Sequence, residues 1–214
     1  MPDGLELLKA LKANAPANAP CLSIPVGSPV EAVLRPVATS AGRLNPNDVR
    51  LLTEWRNRFV KSFLTQFEAT ETRTERWLTE MVGPDPSRIL FMLDDARGQT
   101  VGYLGLAFID WEQYSGEADA VVRGAEVAPG VMAKAMFTLL DWAREQLGLT
   151  SLRARVRSDN PALRFFLKIG TEMRRVSLRP VEEPGVILWV EDESLAPSEP
   201  ALVYIVFPAK RNPL

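Results

Sequence analysis

The clearest pattern in the chain is an apolar stripe between residues 130 and 147. Apolar side chains recur there at intervals of three and four residues: Met132, Met136, Leu139, Leu140, Ala143 and Leu147. This spacing is typical of a helix with one buried face. Gly148 follows the stripe directly and favours the end of the helix at that point.

Two further helices are predicted in the first half of the chain, and a short one follows residue 160. Asn45 is a good capping residue and Pro46 fits a first helical turn, so a helix begins there and continues to about Leu64. A second helix covers residues 71–81 and stops at Gly83. Asn160-Pro161 starts the short helix, which ends at Gly170.

Strands are predicted where apolar residues alternate with polar ones, or where short apolar runs lie between turn residues. These stretches are 31–36, 89–93, 101–110, 117–123, 152–156, 176–178, 186–190 and 202–207. The order of elements predicts a mixed α/β (α+β) domain. The last two stretches predict a C-terminal β-hairpin, part of an extension from about residue 180, that extends the sheet or forms a homodimer contact.

The first 29 residues read as an N-terminal arm ahead of a single domain over 30–214. Residues 4–12 form a short amphipathic stretch, and prolines at 16, 20, 25 and 29 predict an extended linker after it. We expect a loosely packed arm, and the alternative is a helix dedicated to binding a partner.

Composition and charge narrow the class of partner. Lys and Arg total 25 and Asp and Glu total 27, for a net charge of −2. Such a balance gives no strong attraction to nucleic acid or to an anionic membrane. The longest apolar run, 101–109, is too short to span a bilayer, and no N-terminal signal is visible. We therefore expect a cytoplasmic protein.

The absence of histidine removes several kinds of chemistry. With no His and the single cysteine Cys21, the chain has no Ser-His-Asp triad, no Cys-His pair and no His-ligated zinc. We therefore expect no metal. Neither of the glycine-rich signatures of dinucleotide-binding and P-loop proteins occurs. Catalysis would depend on carboxylates, Tyr, Lys and backbone donors.

The connection between the strand ending at Arg123 and the long helix is a candidate anion site. A helix N-terminus carries unpaired N–H groups and partial positive charge, which attract phosphate. Residues 124–130 are rich in Gly and Ala, which allow a ligand to approach the backbone. The alternative is a plain strand–helix connection.

Four strings, taken in order, resemble the GNAT superfamily of acetyl-CoA-dependent N-acetyltransferases. They are Leu34-Arg35-Pro36-Val37, residues 51–57, residues 139–149 and residues 156–170. The resemblance implies a mixed sheet splayed at its centre, helices on both faces, and acetyl-CoA with its pyrophosphate at the start of the long helix. Within this superfamily, the strings most resemble the branch of amino-sugar and ribosomal-protein N-terminal acetyltransferases.

The resemblance also implies which residues contact acetyl-CoA. They are Val121 and Val122, whose backbone would stabilise the oxyanion, with Arg123, Ala128, Gly130, Val131, Met132, Ala133, Lys134, Asn160 and Phe166. Two departures from the family pattern stand out. Ala125 and Val127 replace basic or Gln residues, so Arg123 and Lys134 would have to supply charge. Phe166 replaces a tyrosine that protonates the leaving thiolate in many members.

Three carboxylates are candidates for the base that deprotonates the attacking amine. Glu117 and Asp119 share one face of the strand before the glycine-rich connection, and Glu126 lies within the connection. A carboxylate acting directly or through water is the simplest base in a chain without histidine. A solvated surface acid is the alternative for each of them.

Three residues are candidates for binding the acceptor. Arg56 and Asn57 lie off the buried stripe of their helix, and Arg155 lies between Arg153 and Arg157 on one side of a strand. An arginine there could bind a phosphate or carboxylate through two parallel bonds. The alternatives are a solvated helix face and arginines neutralised by acidic neighbours.

The sequence therefore predicts a cytoplasmic N-acetyltransferase that moves an acetyl group from acetyl-CoA to a primary amine of a small molecule. An amino sugar, free or linked to a nucleotide, is the acceptor that the resemblance favours. A peptide N-terminus is one alternative. A degenerate fold that binds coenzyme A, or serves as an interaction module without turnover, is the other.

Overall fold

The computed structural model describes residues 3–13, 22–197 and 199–209. Within these ranges the chain forms five α-helices and ten strands. In chain order the elements are α1 (Gly4–Ala13), β1 (Ile24–Val26), β2 (Ala32–Pro36), α2 (Pro46–Arg58), a 3-10 turn (Val60–Ser62), β3 (Thr65–Phe67), α3 (Glu71–Arg76), a π-helical turn (Trp77–Val82), β4 (Ile89–Asp95), β5 (Thr100–Asp110), β6 (Ser115–Arg123), α4 (Val131–Leu147), β7 (Ser151–Arg157), α5 (Leu163–Ile169), β8 (Thr171–Glu183), β9 (Val186–Glu191) and β10 (Ala201–Val206). The mixed α/β class predicted from the sequence is confirmed.

The chain divides into two compact units. Unit 1 comprises the chain up to Thr53 together with Thr70–Thr150, and unit 2 comprises Glu54–Ala69 and the chain from Ser151 onward. In unit 1 the strands lie in the order β1-β2-β4-β5-β6, and each neighbouring pair is antiparallel. Strands β4 and β5 are buried along most of their length, which explains their continuous apolar runs.

The long helix α4 carries the apolar stripe predicted from the sequence. Its buried residues are Val131, Ala135, Met136, Leu139, Leu140, Ala143 and Leu147. Gly148 ends the helix with a left-handed conformation, φ 75°, as its position after the stripe predicted. The helix contacts α1, β1 and β2 of the same unit.

In unit 2 the strands lie in the order β7-β10-β8-β9-β3, again with antiparallel neighbours. The predicted pairing of 186–190 with 202–206 is wrong, because β9 forms its hairpin with β8 instead. Strand β10 lies between β7 and β8, and most of its residues are buried. A strand that is apolar on both faces is suited to the interior of a sheet rather than to an exposed hairpin.

Helix boundaries and short strands show the other differences from the sequence prediction. Helix α2 ends at Arg58, short of Leu64, because the chain makes a 3-10 turn and is extended again at Phe63. Strands β1 and β3 were not predicted, since three residues are too few to show an alternating pattern. Among the residues described, no helix is long and apolar enough to cross a membrane.

An ion triad ties the start of α2 to two strands of unit 1. The Arg35 guanidinium on β2 donates to both carboxylate oxygens of Asp48, at 2.8 and 3.0 Å, and to Asp94 on β4 at 2.7 Å. Asp48 is 1% exposed, so its charge depends on this pairing. The two carboxylates raise the pKa of Arg35 against the opposing effect of burial.

Part of the N-terminal arm is packed on unit 1 rather than loosely attached. Helix α1 buries Leu8 and Leu11, and β1 adds a strand to the edge of β2. The expectation of a loose arm is therefore wrong for these residues, because their apolar side chains pack against unit 1. Pro16, Pro20 and Cys21 lie outside the described residues. The domain boundary near residue 29 stays a prediction.

Lys12 at the end of α1 is the polar part of this contact. Its ammonium donates to the backbone carbonyls of Asp85, at 2.6 Å, and Arg88, at 3.2 Å. The side chain is buried, and burial lowers the pKa of Lys12 to about 8, with the charge of Arg88 adding to the effect and that of Asp85 opposing it.

Lys12 predicts a pH-dependent stability. Because the pKa of Lys12 is about 8 when folded and 10.5 ordinarily, the unfolded chain binds more protons between these values. The free energy of unfolding of the wild type therefore rises with pH in this window. We compare the free energies of unfolding of the wild type and Lys12→Met, both measured with urea. Between about pH 7.5 and 9.5, we expect the wild-type value to rise relative to that of the variant by roughly 1–2 kcal/mol.

Lys9→Met is the matched control, since Lys9 lies on the same helix and is exposed, with an ion pair to Glu6. We expect the change with pH to be clearly larger for Lys12→Met than for Lys9→Met. A change of equal size in both variants would contradict a lowered pKa at residue 12.

Candidate functional site

The predicted oxyanion residues lie beside a β-bulge in strand β6. On β5 the pairs Tyr103–Val122 and Gly105–Asp119 are two residues apart, but on β6 they are three residues apart. The extra residue makes Ala120 adopt φ 52°, in the left-handed region that a non-glycine residue rarely occupies. Val121 follows directly and lies within the interruption, and Val122 is where the ladder resumes opposite Tyr103.

The N-terminus of α4 is open to a ligand. Gly130 precedes the helix with φ 87°, and no side chain caps the helix start. The first N–H groups of a helix have no partner within it, so those of Met132 and Ala133 point outward from the first turn. A Cβ atom at Gly130 would meet nothing within 4 Å, which leaves room in front of these groups.

The connection from β6 to α4 is fixed by the backbone of β5. The amides of Gly124 and Ala125 both donate to the Val101 carbonyl, at 2.9 and 3.0 Å. The Val131 amide donates to the Ala128 carbonyl at 3.2 Å, which closes the turn before the helix. Ala128 is exposed, so the small residues of the connection present backbone rather than side chains to solvent.

The two cations predicted near this turn differ in their surroundings. Arg123 is exposed at the end of β6. Lys134, in the first turns of α4, forms an ion pair with Glu31, which follows β1. Lys134 therefore already has an anionic partner, and Arg123 is the more accessible source of positive charge.

The three candidate bases lie in different environments. Glu117 on β6 is 3% exposed, whereas Asp119 on the same strand and Glu126 in the connection are exposed. Glu117 and Asp119 both precede the bulge, on one side of the strand as the sequence predicted. Glu117 is therefore the carboxylate whose surroundings differ most from those of a solvated surface acid.

Asn160 and Phe166, also predicted to contact acetyl-CoA, belong to unit 2. Asn160 accepts a hydrogen bond from the Ala162 amide at 2.9 Å and donates to the Ser62 carbonyl at 3.4 Å. Phe166 is 5% exposed and packs against Phe165 and Phe207, with ring centroids 5.4 and 6.5 Å away. The ring at position 166 is thus a core residue of this unit.

The predicted acceptor residues Arg56 and Asn57 hold the chain that follows α2. The Arg56 guanidinium stacks over Phe63 and Phe67, 3.9 and 4.7 Å from their centroids, and donates to the Thr65 carbonyl. Asn57 exchanges two hydrogen bonds with the backbone of Ala69, at 2.9 and 2.8 Å. These contacts are structural, and the roles of both residues in binding an acceptor stay predictions.

The arginines of β7 are not equivalent. Arg155, the one predicted to bind the acceptor, is half-buried and lies opposite Tyr204 of β10. Arg157 is 4% exposed and binds the Asp159 carboxylate through two nitrogens, at 2.9 and 2.7 Å. This pair lowers the pKa of Asp159. For Arg157 the alternative of an arginine neutralised by an acidic neighbour is therefore confirmed, with a buried guanidinium and a half-exposed carboxylate.

The structure thus brings the bulge, the glycine-rich connection and the open helix end together in unit 1. The predicted residues in that unit are Glu117, Asp119, Val121, Val122, Arg123, Glu126, Ala128, Gly130, Val131, Met132, Ala133 and Lys134. The predicted residues Arg56, Asn57, Arg155, Asn160 and Phe166 belong to unit 2. In the described parts of the chain, no group of three or more acidic or Cys side chains could hold a metal ion.

Comparison with known proteins places the chain among acetyltransferases. The family model described as Acetyltransferase (GNAT) domain matches residues 42–172. A probable GNAT-family acetyltransferase from Chromobacterium violaceum superposes with TM-score 0.61 at 16% identity, over 90% of this chain and 88% of that one. A GCN5-related N-acetyltransferase from Brucella melitensis gives 0.59 at 16% identity, over 90% and 81%.

A third similar structure is a complex with ligands. Spermidine N-acetyltransferase from Vibrio cholerae, in complex with CoA and spermine, superposes with TM-score 0.58 at 16% identity, over 83% of this chain and 96% of that one. Among curated proteins, none matches the chain by sequence. At these identities the structural matches show a shared fold.

The bulge predicts a stabilising substitution. Ala120→Gly removes the steric penalty of a Cβ at positive φ, about 1–2 kcal/mol, and adds about 0.5–1 kcal/mol of unfolded-state entropy. We expect the free energy of unfolding to stay equal or rise by up to about 1 kcal/mol, from urea unfolding. Ala118→Gly, at a buried position of the same strand, should lower it instead. A loss at residue 120 equal to that at residue 118 would argue against the bulge.

Proposed function

The chain belongs to the GNAT acetyltransferase family, and from that premise we propose that it transfers the acetyl group of acetyl-CoA to a primary amine of a small molecule, using the β6–α4 turn of unit 1. The family model covers more than half of the chain, and it includes β6, the connection and α4. Acetyl-CoA is the co-substrate and supplies the acetyl group as a thioester.

The open N-terminus of α4 is the observation that carries this proposal. A pyrophosphate needs hydrogen-bond donors and positive potential, and an uncapped helix start offers both. Gly130 leaves the approach clear, and Ala128 adds no bulk. The residues present therefore fit the group: the amides of Met132 and Ala133 would bind the pyrophosphate, and Ala128, Gly130 and Val131 would shape the turn that it approaches.

Few side chains at the β6–α4 turn carry a positive charge. Ala125 and Val127 add none, and Lys134 is bound to Glu31. Arg123 is the accessible cation at the end of β6, and we assign it the main side-chain contact with phosphate. Because backbone donors contribute most of this site, its affinity should depend on the geometry at Gly130 more than on any single charge.

The bulge in β6 is suited to stabilise negative charge on the carbonyl oxygen under attack. A backbone N–H that is not used in the ladder is fixed in direction and needs no reorganisation when charge develops. Val121 and Val122 lie at that interruption. We assign the oxyanion donor to the backbone of one of them.

Glu117 is our choice for the base that takes a proton from the acceptor amine. Its carboxyl is buried on β6, three residues before the extra residue at Ala120. A base must lie within reach of the amine and away from competing bulk water, and Glu117 is the buried carboxylate of the three. Asp119 and Glu126 are exposed and would be less effective in this role.

Phe166 supplies no proton to the departing thiolate. Its ring is packed in the core of unit 2 against Phe165 and Phe207, so the position serves stability. A thiol with pKa about 8.5 leaves adequately near neutral pH without an acid. We therefore propose that turnover does not require a side-chain acid at this position.

The acceptor is proposed as a small primary amine. The sequence resemblance favours an amino sugar, free or nucleotide-linked, while one structure of similar fold is a spermidine N-acetyltransferase. A panel of spermidine, glucosamine, nucleotide-linked amino sugars and a peptide with a free N-terminus separates these acceptors. Release of free thiol from acetyl-CoA measures turnover for each.

Gly130→Leu tests the proposed coenzyme site. A leucine side chain would fill the space before the first turn of α4, so we expect acetyl-CoA affinity, measured by calorimetry, to fall at least about tenfold, since one or more phosphate contacts are lost. Gly98→Leu is the matched control, because Gly98 also has positive φ and open surroundings, in the β4–β5 turn. Both variants lose stability from backbone strain, but only the first should lose affinity.

Glu117→Gln tests the base. We expect kcat to fall by about 10²–10⁴, with acetyl-CoA affinity unchanged, because the amide cannot accept the amine proton. Asp119→Asn, two residues away and exposed, should have a kcat close to that of the wild type. Equal losses in both variants would reject Glu117. Wild-type protein that binds acetyl-CoA but acetylates none of the panel would favour the alternative of a coenzyme-binding module.

A further inference from the structure

Unit 2 contains a buried guanidinium with an unused donor. Arg157 ends β7, and its Nε and Nη2 atoms donate to the Asp159 carboxylate, at 2.9 and 2.7 Å. Its Nη1 atom is closed to solvent and has no acceptor among the residues that the structure describes. One side of a side chain that is 4% exposed is therefore left without its hydrogen bonds.

A second unused donor belongs to a residue that contacts Arg157. The Trp189 ring of β9 stacks under the Arg157 guanidinium, with the ring centroid 4.4 Å from Cζ. The indole Nε1 is also closed to solvent and lacks an acceptor within the described ranges. For the part of unit 2 that is described, these are the two buried side-chain nitrogens in this condition, and they belong to touching residues.

The arginines of β8 show that unit 2 does not lack acidic partners. Arg174, Arg175 and Arg179 are about half-exposed. Each forms an ion pair with an acidic residue that follows β9, namely Glu193, Glu199 and Asp192 respectively. Paired arginines are thus found where water could have solvated them, whereas the donors left unpaired are buried. Buried donors without acceptors cost free energy and are rare in folded proteins, so this arrangement calls for a ligand.

We propose that Arg157 and Trp189 form a binding site for a small oxyanion, a carboxylate or a phosphate group. Nη1 offers two hydrogens and Nε1 one, and neither atom accepts a hydrogen bond, so the complement is a group with more than one acceptor oxygen. Asp159 is 49% exposed and is therefore screened by water. Asp159 occupies the Nε–Nη2 edge of the guanidinium, so the Nη1 hydrogens on its other side are left for a second oxyanion.

Access to the site requires a local movement within unit 2. The Trp189 amide donates to the Leu64 carbonyl at 2.8 Å, and Asn160 donates to the Ser62 carbonyl. The segment from the 3-10 turn through β3 therefore lies beside Trp189 and beside Asn160, which follows Arg157 by three residues. It is held to β9 by the three residues of β3 and to α2 by Arg56 and Asn57, so a local opening has to release these contacts together.

The indole N–H of Trp189 gives a direct test that does not involve acetyl transfer. Nuclear magnetic resonance of the 15N-labelled full chain resolves indole signals, and Trp189→Phe identifies the one in question. We expect sodium acetate or inorganic phosphate to shift this signal saturably, while sodium chloride at equal ionic strength does not. Saturation with acetate alone assigns a carboxylate, and saturation with phosphate alone assigns a phosphate.

Two variants establish the partners. Arg157→Lys keeps the charge but loses the fork, and we expect a loss of affinity of about tenfold or more, followed on the Trp189 signal. Arg179→Lys, an exposed arginine of the same unit, should leave the affinity unchanged. The proposal is overturned if neither anion shifts the signal beyond chloride, or if Arg157→Lys, shown to be folded by circular dichroism, binds as the wild type does.

Discussion

One extra residue in β6 shapes the candidate site of unit 1. An antiparallel ladder uses its backbone N–H and C=O groups in pairing, which would leave a regular β6 with few donors to offer a ligand. The bulge at Ala120 interrupts this ladder between two paired residues, Val122 and Asp119. Gly102 on the facing strand accommodates the distorted partner, because a Cβ there would overlap the Val122 carbonyl. Val121 therefore lies opposite no residue of β5 in this register.

The same strand leads directly to the second part of the site. Strand β6 ends at Arg123, and the chain then turns on small residues whose amides are held by the Val101 carbonyl. Gly130 takes a left-handed conformation so that α4 starts without a cap. Together, these features make a candidate site whose donors would come chiefly from backbone, in a chain without histidine and with few cations at this turn.

In unit 2, several side chains that the sequence made candidates for chemistry also hold the unit together. Arg56 stacks over two phenylalanine rings, Asn57 hydrogen-bonds to the backbone of Ala69, and Phe166 lies in an aromatic cluster. The buried Arg157, by contrast, has one nitrogen, Nη1, with no acceptor among the described residues. Burial and unused hydrogen-bonding capacity separate these two kinds of residue, and the type of residue alone does not.

Local patterns determined the elements and the family. These patterns, each visible within a few residues, include the apolar stripe of α4, the glycine at its end, the strands of the β4–β5 hairpin and the short strings. The GNAT family predicted from the order of the strings is confirmed. Contacts between distant residues decided the rest. The place of β10 between β7 and β8, the bulge at Ala120, the burial of Lys12 and the stacking of Trp189 on Arg157 all depend on partners far away in sequence. Periodicity records which face of an element is apolar, but it does not record which other element covers that face.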